Sequence, residues 1–322
     1  MTLNIGLVGT GWFSKMHAEI LSKIEDVNIS GICGSSQVKA DKMAQQFSSA
    51  KGYESIHTLL EDQKLDALYI CVPPFAHGEI ELAAVEHNIP FFVEKPLSTD
   101  LQTPSLILDA IKNKNLITSV GYHFRYHDSA QRAKLLLQEQ TIGMSLGYWM
   151  GNMPGVYWWR KQDGSGGQFV EQTTHIVDLL RYLVGDVKEV YAAFSNRVLH
   201  EKETGVDVAD VGTVTMKMEN GSVATISNTC ILPAGGKNGL HIYTDQGVLE
   251  VDQGNLIETA VGRKTEYKNQ SNPYETETNA FLHALRTGDT SGILSTYADA
   301  WKSQQVAVAA NESAKSGKPV IL

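Results

Sequence analysis

The sequence has little that would support a disulfide framework, a membrane span or a nucleic-acid surface. Its three cysteines, Cys33, Cys71 and Cys230, are widely scattered and lack the close Cys or Cys/His spacing of zinc sites and redox pairs. No apolar run approaches the roughly 18 residues that a membrane-spanning helix requires. Acidic residues outnumber basic ones by 36 to 27, and a formal charge of −9 disfavours a surface that binds the phosphate backbone of nucleic acids. We therefore expect reduced thiols, a soluble protein, and no nucleic-acid or membrane partner.

The amino-terminal segment also lacks the basic region and the long apolar region of a secretory signal, so we expect a cytoplasmic protein. A length of 322 residues fits two domains, at roughly 150 residues per domain. An apolar content of 42% and a charged content of 20% are near globular averages. The chain is therefore long enough and apolar enough to bury a sizeable core.

Residues 3 to 121 alternate apolar strand-like segments with helical segments, which is typical of a parallel sheet covered by helices. Several of these segments are almost continuously apolar, as strands buried on both faces must be. The predicted strands are Leu3 to Val8, Val27 to Cys33, Lys51 to Tyr53, Ala67 to Val72, Pro90 to Val93 and Leu116 to Val120. The sequence predicts an α/β domain over residues 1–121.

After Gly121 the pattern becomes strand-rich, which indicates a second domain over residues 122–322. Asn220-Gly221 is a hairpin signal between two β-branched segments and favours antiparallel pairing. The predicted strands are Val187 to Val198, Val208 to Met218, Ser222 to Cys230, Leu240 to Asp245 and Gly247 to Val251. The predicted helices are Ser129 to Gln140, Phe169 to Val184, Tyr274 to Thr287 and Thr296 to Lys315.

A glycine turn between the first strand and the first helix carries the first chemical signal. Gly9 permits a tight turn, and Gly11 lets the backbone approach a pyrophosphate that the helix N-terminus binds with its free N–H groups and dipole. Ser14 replaces the usual third glycine but is small enough for close packing. This context favours a dinucleotide site over an ordinary turn. The residues expected to contact the cofactor here are Gly9, Thr10, Gly11, Trp12 and Phe13.

The second strand ends without the carboxylate that grips the ribose 2′-hydroxyl of NAD. The first acidic residue, Asp41, comes too late in the chain, whereas Ser35, Ser36 and Lys39 offer donors to a 2′-phosphate. We therefore expect NAD(P) as the cofactor, with NADP slightly favoured over NAD. Lys39 as an ordinary solvated helix residue is the alternative.

Glu94-Lys95-Pro96 follows the fifth predicted strand, at the carboxyl end where ligands of open α/β sheets bind. A lysine fixed there by a proline can direct its ammonium group into the cofactor crevice, although most lysines are simply solvated. We expect both Glu94 and Lys95 to contact the cofactor. Pro73 and His77 follow the preceding strand. We expect both on the crevice side, with His77 at a helix start rather than in catalysis.

The predicted helix Phe169 to Val184 places Glu171, His175 and Asp178 on one face, at i, i+4 and i+7. A carboxylate one turn from an imidazole forms an acid/base pair, and a core or surface histidine is the alternative. The same three residues would be a metal-ligand set only without a competing cofactor, so no metal is expected.

An aromatic loop precedes this helix. Trp158 and Trp159 suit the C–H faces of sugars, and Arg160 can donate to hydroxyls, but the tryptophans could equally pack a domain interface. His123 and Arg125, just past the predicted domain boundary, either reach substrate or, for Arg125, form a structural ion pair.

These motifs, in this order, resemble the glucose-fructose oxidoreductase/inositol dehydrogenase (Gfo/Idh/MocA) family over essentially the whole chain. Gly9-Thr10-Gly11 is similar to its nucleotide turn, Glu94-Lys95-Pro96 to its signature tripeptide, the segment from Gly121 to its domain junction, and Gly167 to Asp178 to its histidine helix. Two departures stand out: Glu171 replaces the usual Asp, and Thr173 the usual Gly.

The resemblance implies an N-terminal Rossmann doubly wound parallel sheet and a C-terminal α+β domain with a large, mostly antiparallel open sheet. It also implies NAD(P)-dependent hydride transfer to or from a sugar, inositol or related polyol, in a homodimer or homotetramer. The implied catalytic residues are Lys95, Glu171 and His175. The longer side chain of Glu171 moves its carboxylate outward by about one bond, so the substrate is expected to differ from that of inositol dehydrogenases.

In this hypothesis His175 takes the hydroxyl proton, since an imidazole titrates near physiological pH. His175 also contacts substrate, Glu171 orients or recharges it, and Lys95 stabilises the developing alkoxide. Two alternatives stay open: an NAD-dependent glycosidase of the same fold, and a nucleotide-bound regulator without chemistry.

Overall fold

The computed structural model describes residues 2–322, which form two compact units. Unit 1 comprises the chain up to Leu97 together with Gln102–Gly121 and Tyr274–Asp299. Unit 2 comprises Ser98–Leu101, Tyr122–Pro273 and Ala300–Leu322. None of the helices within residues 2–322 has the length and apolar character needed to cross a membrane.

Unit 1 contains a six-stranded parallel sheet in the order β3-β2-β1-β4-β5-β6. Its strands are β1 Leu3–Val8, β2 Val27–Cys33, β3 Lys51–Tyr53, β4 Ala67–Ile70, β5 Phe91–Val93 and β6 Thr118–Val120. Its helices are α1 Trp12–Leu21, α2 Gln37–Ala44, α3 Ile56–Asp62, α4 Glu79–Glu86 and α5 Gln102–Lys114. The strand order places the β1/β4 switch point at the carboxyl end of β1, where open α/β sheets bind ligands.

Unit 1 also includes a segment far downstream in the chain, because that segment completes its core. Helix α11, Pro273–Thr287, places Phe281 and Leu282 in the same buried cluster as Ile5 and Leu7 of β1. Burial of apolar side chains is the main term that stabilises such packing. The two units therefore differ from the predicted ranges 1–121 and 122–322. Residues 274–299 belong to the first unit, and residues 98–101 belong to the second.

Unit 2 contains a nine-stranded sheet in the order β14-β13-β12-β11-β7-β10-β9-β8-β15. All neighbours are antiparallel except β7 and β10, which are parallel. The strands are β7 Ile142–Met150, β8 Val187–Ser195, β9 Val211–Met218, β10 Val223–Thr229, β11 Lys237–Thr244, β12 Gly247–Val251, β13 Asn255–Ala260, β14 Arg263–Lys268 and β15 Val320–Ile321. The helices are α6 Asp128–Leu136, α7 Gln162–Ser165, α8 Gln168–Glu171, α9 Thr174–Val184, α10 Leu199–Lys202 and α12 Tyr297–Ser316, whose first three residues count to unit 1.

One face of the unit 2 sheet is covered by helices, and apolar residues of α9 lie in the same buried cluster as those of the sheet. The predicted fold class, a Rossmann-type parallel sheet plus an α+β unit with a mostly antiparallel sheet, is confirmed. Four strands were not predicted, namely β7, β13, β14 and β15.

Candidate active site

The glycine turn after β1 has the geometry of an anion site. Gly9 has φ +114°, and a side chain there would meet the carbonyl oxygen of Cys71 at 2.2 Å, so only glycine fits. Gly11 is the N-cap of α1 and contributes no side-chain cap, and a Cβ added to it would meet no atom within 4 Å. The first N–H groups of α1 are thus left to a ligand. These residues fit the pyrophosphate of a dinucleotide.

Ser14, where the family motif has its third glycine, is fully buried. Its Oγ donates to the Gly9 carbonyl oxygen at 2.7 Å. The serine therefore stabilises the turn from inside, which explains why the departure from glycine is tolerated.

Two aromatic side chains follow the turn. Trp12 is 67% exposed, and its ring meets that of Phe13 edge-on at 4.9 Å. The Nζ of Lys95 lies 5.8 Å from the centre of the Phe13 ring, within cation–π range. Lys95 itself is 8% exposed, and its bond to Pro96 is cis. The folded unit thus brings the predicted lysine next to the predicted cofactor turn.

The end of β2 presents donors and no carboxylate. The Oγ of Ser36 caps α2 by accepting from the Lys39 backbone N–H at 3.4 Å, and the Lys39 ammonium donates to the Oγ of Ser35 at 3.0 Å. Asp41 instead accepts from Gln37 at 2.8 Å. Ser35 and Lys39 are exposed, so both donors can reach a ligand.

Pro73 and His77 flank a short 3-10 turn after β4, Pro74–Ala76. The Nδ1 of His77 lies 2.5 Å from the Glu81 carboxylate, which also accepts from the Gly78 N–H at 2.7 Å. Burial opposes ionisation of Glu81, but the charge of His77 and these hydrogen bonds lower its pKa overall. His77 is thus fixed at the start of α4, as the sequence predicted.

Glu94 was expected to contact cofactor, and the structure pairs it with another residue of unit 1. Its Oε1 lies 2.9 Å from Nε2 of His17 on α1, and both side chains are buried. Glu277 of α11 also lies near this pair. Sequence reasoning missed His17 and Glu277, because polar residues at helical positions resemble ordinary solvated side chains.

The predicted continuous helix Phe169 to Val184 is wrong, because the chain forms two helices, α8 and α9. At the break, the Thr173 N–H donates to the Gln168 carbonyl five residues back, at 2.9 Å. Such a widened turn inserts an extra residue into the helical register and is frequent at functional sites. Glu171 and His175 are therefore not one regular helical turn apart.

The contacts of Glu171 and the aromatic loop help to distinguish sugar binding from packing as the role of the loop tryptophans. The Oε2 of Glu171 accepts from the indole N–H of Trp159 at 2.7 Å. Trp159 is fully buried in a small apolar cluster, against which Trp158 packs. These contacts favour a packing role for Trp159. Arg160 pairs with Glu203 at 3.2 Å and donates to the Thr204 carbonyl oxygen at 3.3 Å.

His175 is 4% exposed and lies among aromatic rings of unit 2. Its ring stacks on Phe124 with centres 4.7 Å apart and planes 14° apart, and lies nearly parallel to Trp149 at 5.9 Å. The His123 ring meets it edge-on at 4.8 Å. The structure thus brings together the two histidines predicted for substrate.

Asp178 and Arg125 form a buried ion pair. The guanidinium donates from Nε and Nη2 to the two carboxylate oxygens at 2.7 and 2.6 Å, and both side chains are at most 4% exposed. Ser303 of α12 donates to the same carboxylate at 2.7 Å. This two-point pairing favours the structural alternative for Arg125 over substrate binding.

Tyr122 anchors the start of the histidine helix. Its hydroxyl bonds the Thr174 Oγ1 at 2.9 Å, and burial raises its pKa. We expect Tyr122→Phe to lower the free energy of unfolding by about 1 kcal/mol, the net worth of one hydrogen bond. Chemical denaturation with Tyr191→Phe, at an exposed tyrosine of β8, as control tests this, and an unchanged midpoint for Tyr122→Phe would contradict it.

Comparisons with known proteins agree with this architecture. A family model described as oxidoreductase family, NAD-binding Rossmann fold, matches residues 3–122, and a GFO/IDH/MocA C-terminal domain model matches residues 131–250. The chain is 26% identical over 301 residues to myo-inositol 2-dehydrogenase of Thermotoga maritima, covering 88% of this chain and 86% of that protein.

Two further relatives extend the match to nearly full length. Identity is 23% over 337 residues to the scyllo-inositol 2-dehydrogenase (NAD(+)) of Bacillus subtilis, covering 98% of this chain and 95% of that protein. The solved structure of levoglucosan dehydrogenase in complex with NADH superposes with a TM-score of 0.87 at 20% identity, covering 100% of this chain and 99% of that one. The structural likeness establishes the fold.

Proposed function

The chain belongs to the GFO/IDH/MocA family of NAD-binding oxidoreductases, and we propose that it oxidises or reduces a carbinol carbon of a sugar, inositol or related polyol. One observation carries the proposal: in unit 1, a buried lysine at the end of β5 lies beside an uncapped, glycine-turned helix N-terminus. The dehydrogenase names of the relatives are consistent with it.

Each residue has a defined task in this proposal. When bound, the nicotinamide cofactor supplies the hydride acceptor or donor. His175 takes the proton of the reacting hydroxyl in the oxidative direction. Lys95 donates a hydrogen bond to the same oxygen and stabilises its developing negative charge. Glu171, whose carboxylate accepts from the indole N–H of Trp159, is proposed to orient His175 or to take up its proton.

Substrate-panel kinetics tests the proposal. Wild-type protein is mixed with NAD or NADP and a panel of inositols, aldoses, anhydrosugars and glycosides. The near-ultraviolet absorbance of reduced nicotinamide is followed, and the products are analysed for hydrolysis. The proposal expects turnover with at least one compound. Net hydrolysis of a glycoside without net cofactor reduction would support the glycosidase alternative. Cofactor binding without turnover of any compound would support the regulator alternative.

We also propose that NADP is preferred over NAD, because the exposed end of β2 carries Ser35 and Lys39 and no carboxylate. We expect Lys39→Ala to raise the KM for NADP about tenfold, the effect of losing one exposed charge-assisted contact to phosphate. The KM for NAD is expected to stay unchanged. Lys42→Ala, one turn along α2, is the control. Equal changes for both cofactors would contradict the preference.

A cytoplasmic location fits the three thiols, none of which is in a disulfide. Burial raises the pKa of Cys33 to about 11. Burial, and then the charge of Asp210, raises the pKa of Cys230 to about 12, so both thiols stay protonated at neutral pH.

Homo-oligomerisation is supported by apolar side chains on the open sheet face of unit 2. Met144, Leu146, Tyr191 and Val223 are between 37% and 48% exposed there. Light scattering would measure the mass.

A further inference from the structure

Three buried ionisable side chains meet at the end of β5, and the proposed chemistry uses none of them. His17 comes from α1, Glu94 follows β5, and Glu277 comes from α11. His17 and Glu277 are fully buried, and Glu94 is 4% exposed. A ring nitrogen of His17 and one oxygen from each carboxyl group lie within 4.8 Å of one another. The arrangement joins three elements that are far apart in the sequence.

The surroundings of the cluster are tightly packed and largely aromatic. The His17 ring lies 4.9 Å from Phe92, 5.5 Å from Tyr69 and 6.4 Å from Tyr274, measured between ring centres. A side chain at Gly121, just past β6, would approach the Glu94 carboxylate to 2.9 Å and would displace it. Charges in such an environment are poorly solvated, and each needs a partner.

The hydrogen bonds of the cluster are incomplete if both carboxyl groups are ionised. Oε1 of Glu94 has the His17 imidazole at 2.9 Å. Within residues 2–322, Oε2 of Glu94 and both oxygens of Glu277 are buried without a donor. Two carboxylates would leave all three oxygens as unpaired acceptors, next to a like charge. One proton removes the repulsion and converts one acceptor into a donor.

The proton belongs on Glu277, because Glu94 already has the His17 imidazole as a hydrogen-bond partner, whereas neither oxygen of Glu277 has a partner within residues 2–322. Burial, and then the charge of Glu94, raise the pKa of Glu277 well above its ordinary range. Burial also raises the pKa of Cys71 and of Tyr274, and the carboxyl groups of Glu94 and Glu277 raise both pKa values further. The charge common to all three groups is that of Glu94, which opposes ionisation of Glu277, Cys71 and Tyr274.

We propose that Glu277 is a positioning residue for Lys95, acting as a neutral carboxylic acid that donates its O–H to Glu94. Glu94 immediately precedes Lys95, and its carboxylate is then bonded by α1 through His17 and by α11 through Glu277. These two bonds fix the carboxyl end of β5, from which the Lys95 side chain projects. The effect on catalysis depends on the proposed role of Lys95, whereas the protonation of Glu277 does not.

Infrared difference spectroscopy tests the protonation directly. The spectrum of the wild type minus that of Glu277→Gln, both at neutral pH, is expected to contain the C=O stretch of a protonated carboxylic acid. Glu275→Gln, on the same helix and exposed to solvent, is the control and should show only a carboxylate difference. A carboxylate band for Glu277 would overturn the proposal, whether or not the protein is an enzyme.

Stability as a function of pH gives a second readout. The pKa of Glu277 is raised in the folded state, so its contribution to the free energy of unfolding is fully present below the pKa of Glu in the unfolded chain, about 4.3. That contribution is lost as the pH rises toward the pKa in the folded state. Relative to Glu277→Gln, the unfolding equilibrium constant of the wild type should therefore rise up to about tenfold per pH unit above that value. A ratio independent of pH would overturn the proposal.

Kinetics separates a hydrogen-bonding role from simple packing. Glu277→Gln keeps a donor and should retain kcat to within about twofold. Glu277→Met keeps most of the volume but has no donor, and should lower kcat about tenfold, the effect of losing one buried hydrogen bond, with little change in cofactor KM. Full activity of Glu277→Met would overturn the positioning role. Equal loss in both variants, or a stoichiometric metal ion found in the wild type and absent from Glu277→Gln, would also overturn it.

Discussion

His175→Ala is expected to lower kcat about 100-fold or more, because general acid/base catalysis contributes about 10²- to 10⁴-fold. The proposed role of His175 is proton transfer and not cofactor binding, so the KM for the cofactor should change little. The loss should be smallest at high pH, where hydroxide replaces the missing base. Initial-rate kinetics across pH with the preferred polyol measures kcat, the KM for the cofactor and the pH dependence of the loss.

The control for this prediction is His200→Ala, since His200 is exposed on α10 in the same unit. Its kcat should equal that of the wild type. The buried neighbour His123, 4.8 Å from His175, supplies a further comparison, because His123→Asn should reduce kcat less than His175→Ala. An unchanged kcat in His175→Ala would remove this imidazole from the mechanism.

Lys95→Met should lower kcat about 100-fold as well, the usual cost of removing one donor to a developing oxyanion. Methionine keeps most of the buried aliphatic stem, so the packing against Phe13 should survive. Lys95→Arg is not expected to restore activity, because the guanidinium is planar and larger than an ammonium group. Initial rates at saturating cofactor measure the effect, and Lys15→Met, at an exposed position on α1, is the control.

The double variant Lys95→Met/His175→Ala distinguishes joint action from independent effects. Groups that act on one reacting oxygen give strongly non-additive losses. The double variant should therefore lose far less than the product of the two single losses. Strict multiplicativity would indicate that the two groups do not serve a common step.

The sequence predicts the parallel sheet of unit 1 closely, because its strands are continuous apolar segments bounded by turn residues. The predicted bounds of β1, β2 and β3 agree with the structure to the residue. Strand β7 was missed although it lies at the centre of its sheet. It carries two glycines, and its exposed positions include Met144 and Leu146, so the alternation of apolar and polar residues is blurred. The charged residues of β14 hide that strand for a similar reason.

Side-chain partners were harder to predict than elements. The regular spacing of Glu171, His175 and Asp178 predicted one helical face, but the widened turn at Thr173 breaks it, and nothing in the local pattern signals that turn. Asp178 pairs with Arg125, 53 residues earlier in the chain. The pairing of His17 with Glu94 depends on tertiary packing and has no short-range signature.

Hydride transfer from the carbinol carbon to the cofactor is tested most directly by following the transferred hydrogen. The most active polyol of the panel is deuterated at its carbinol carbon and incubated with wild-type protein and oxidised cofactor, and both products are analysed by mass spectrometry. We expect one deuterium in the recovered reduced cofactor, a carbonyl in the sugar product, and a slower rate than with the undeuterated compound. Product formed without deuterium in the cofactor would contradict this expectation.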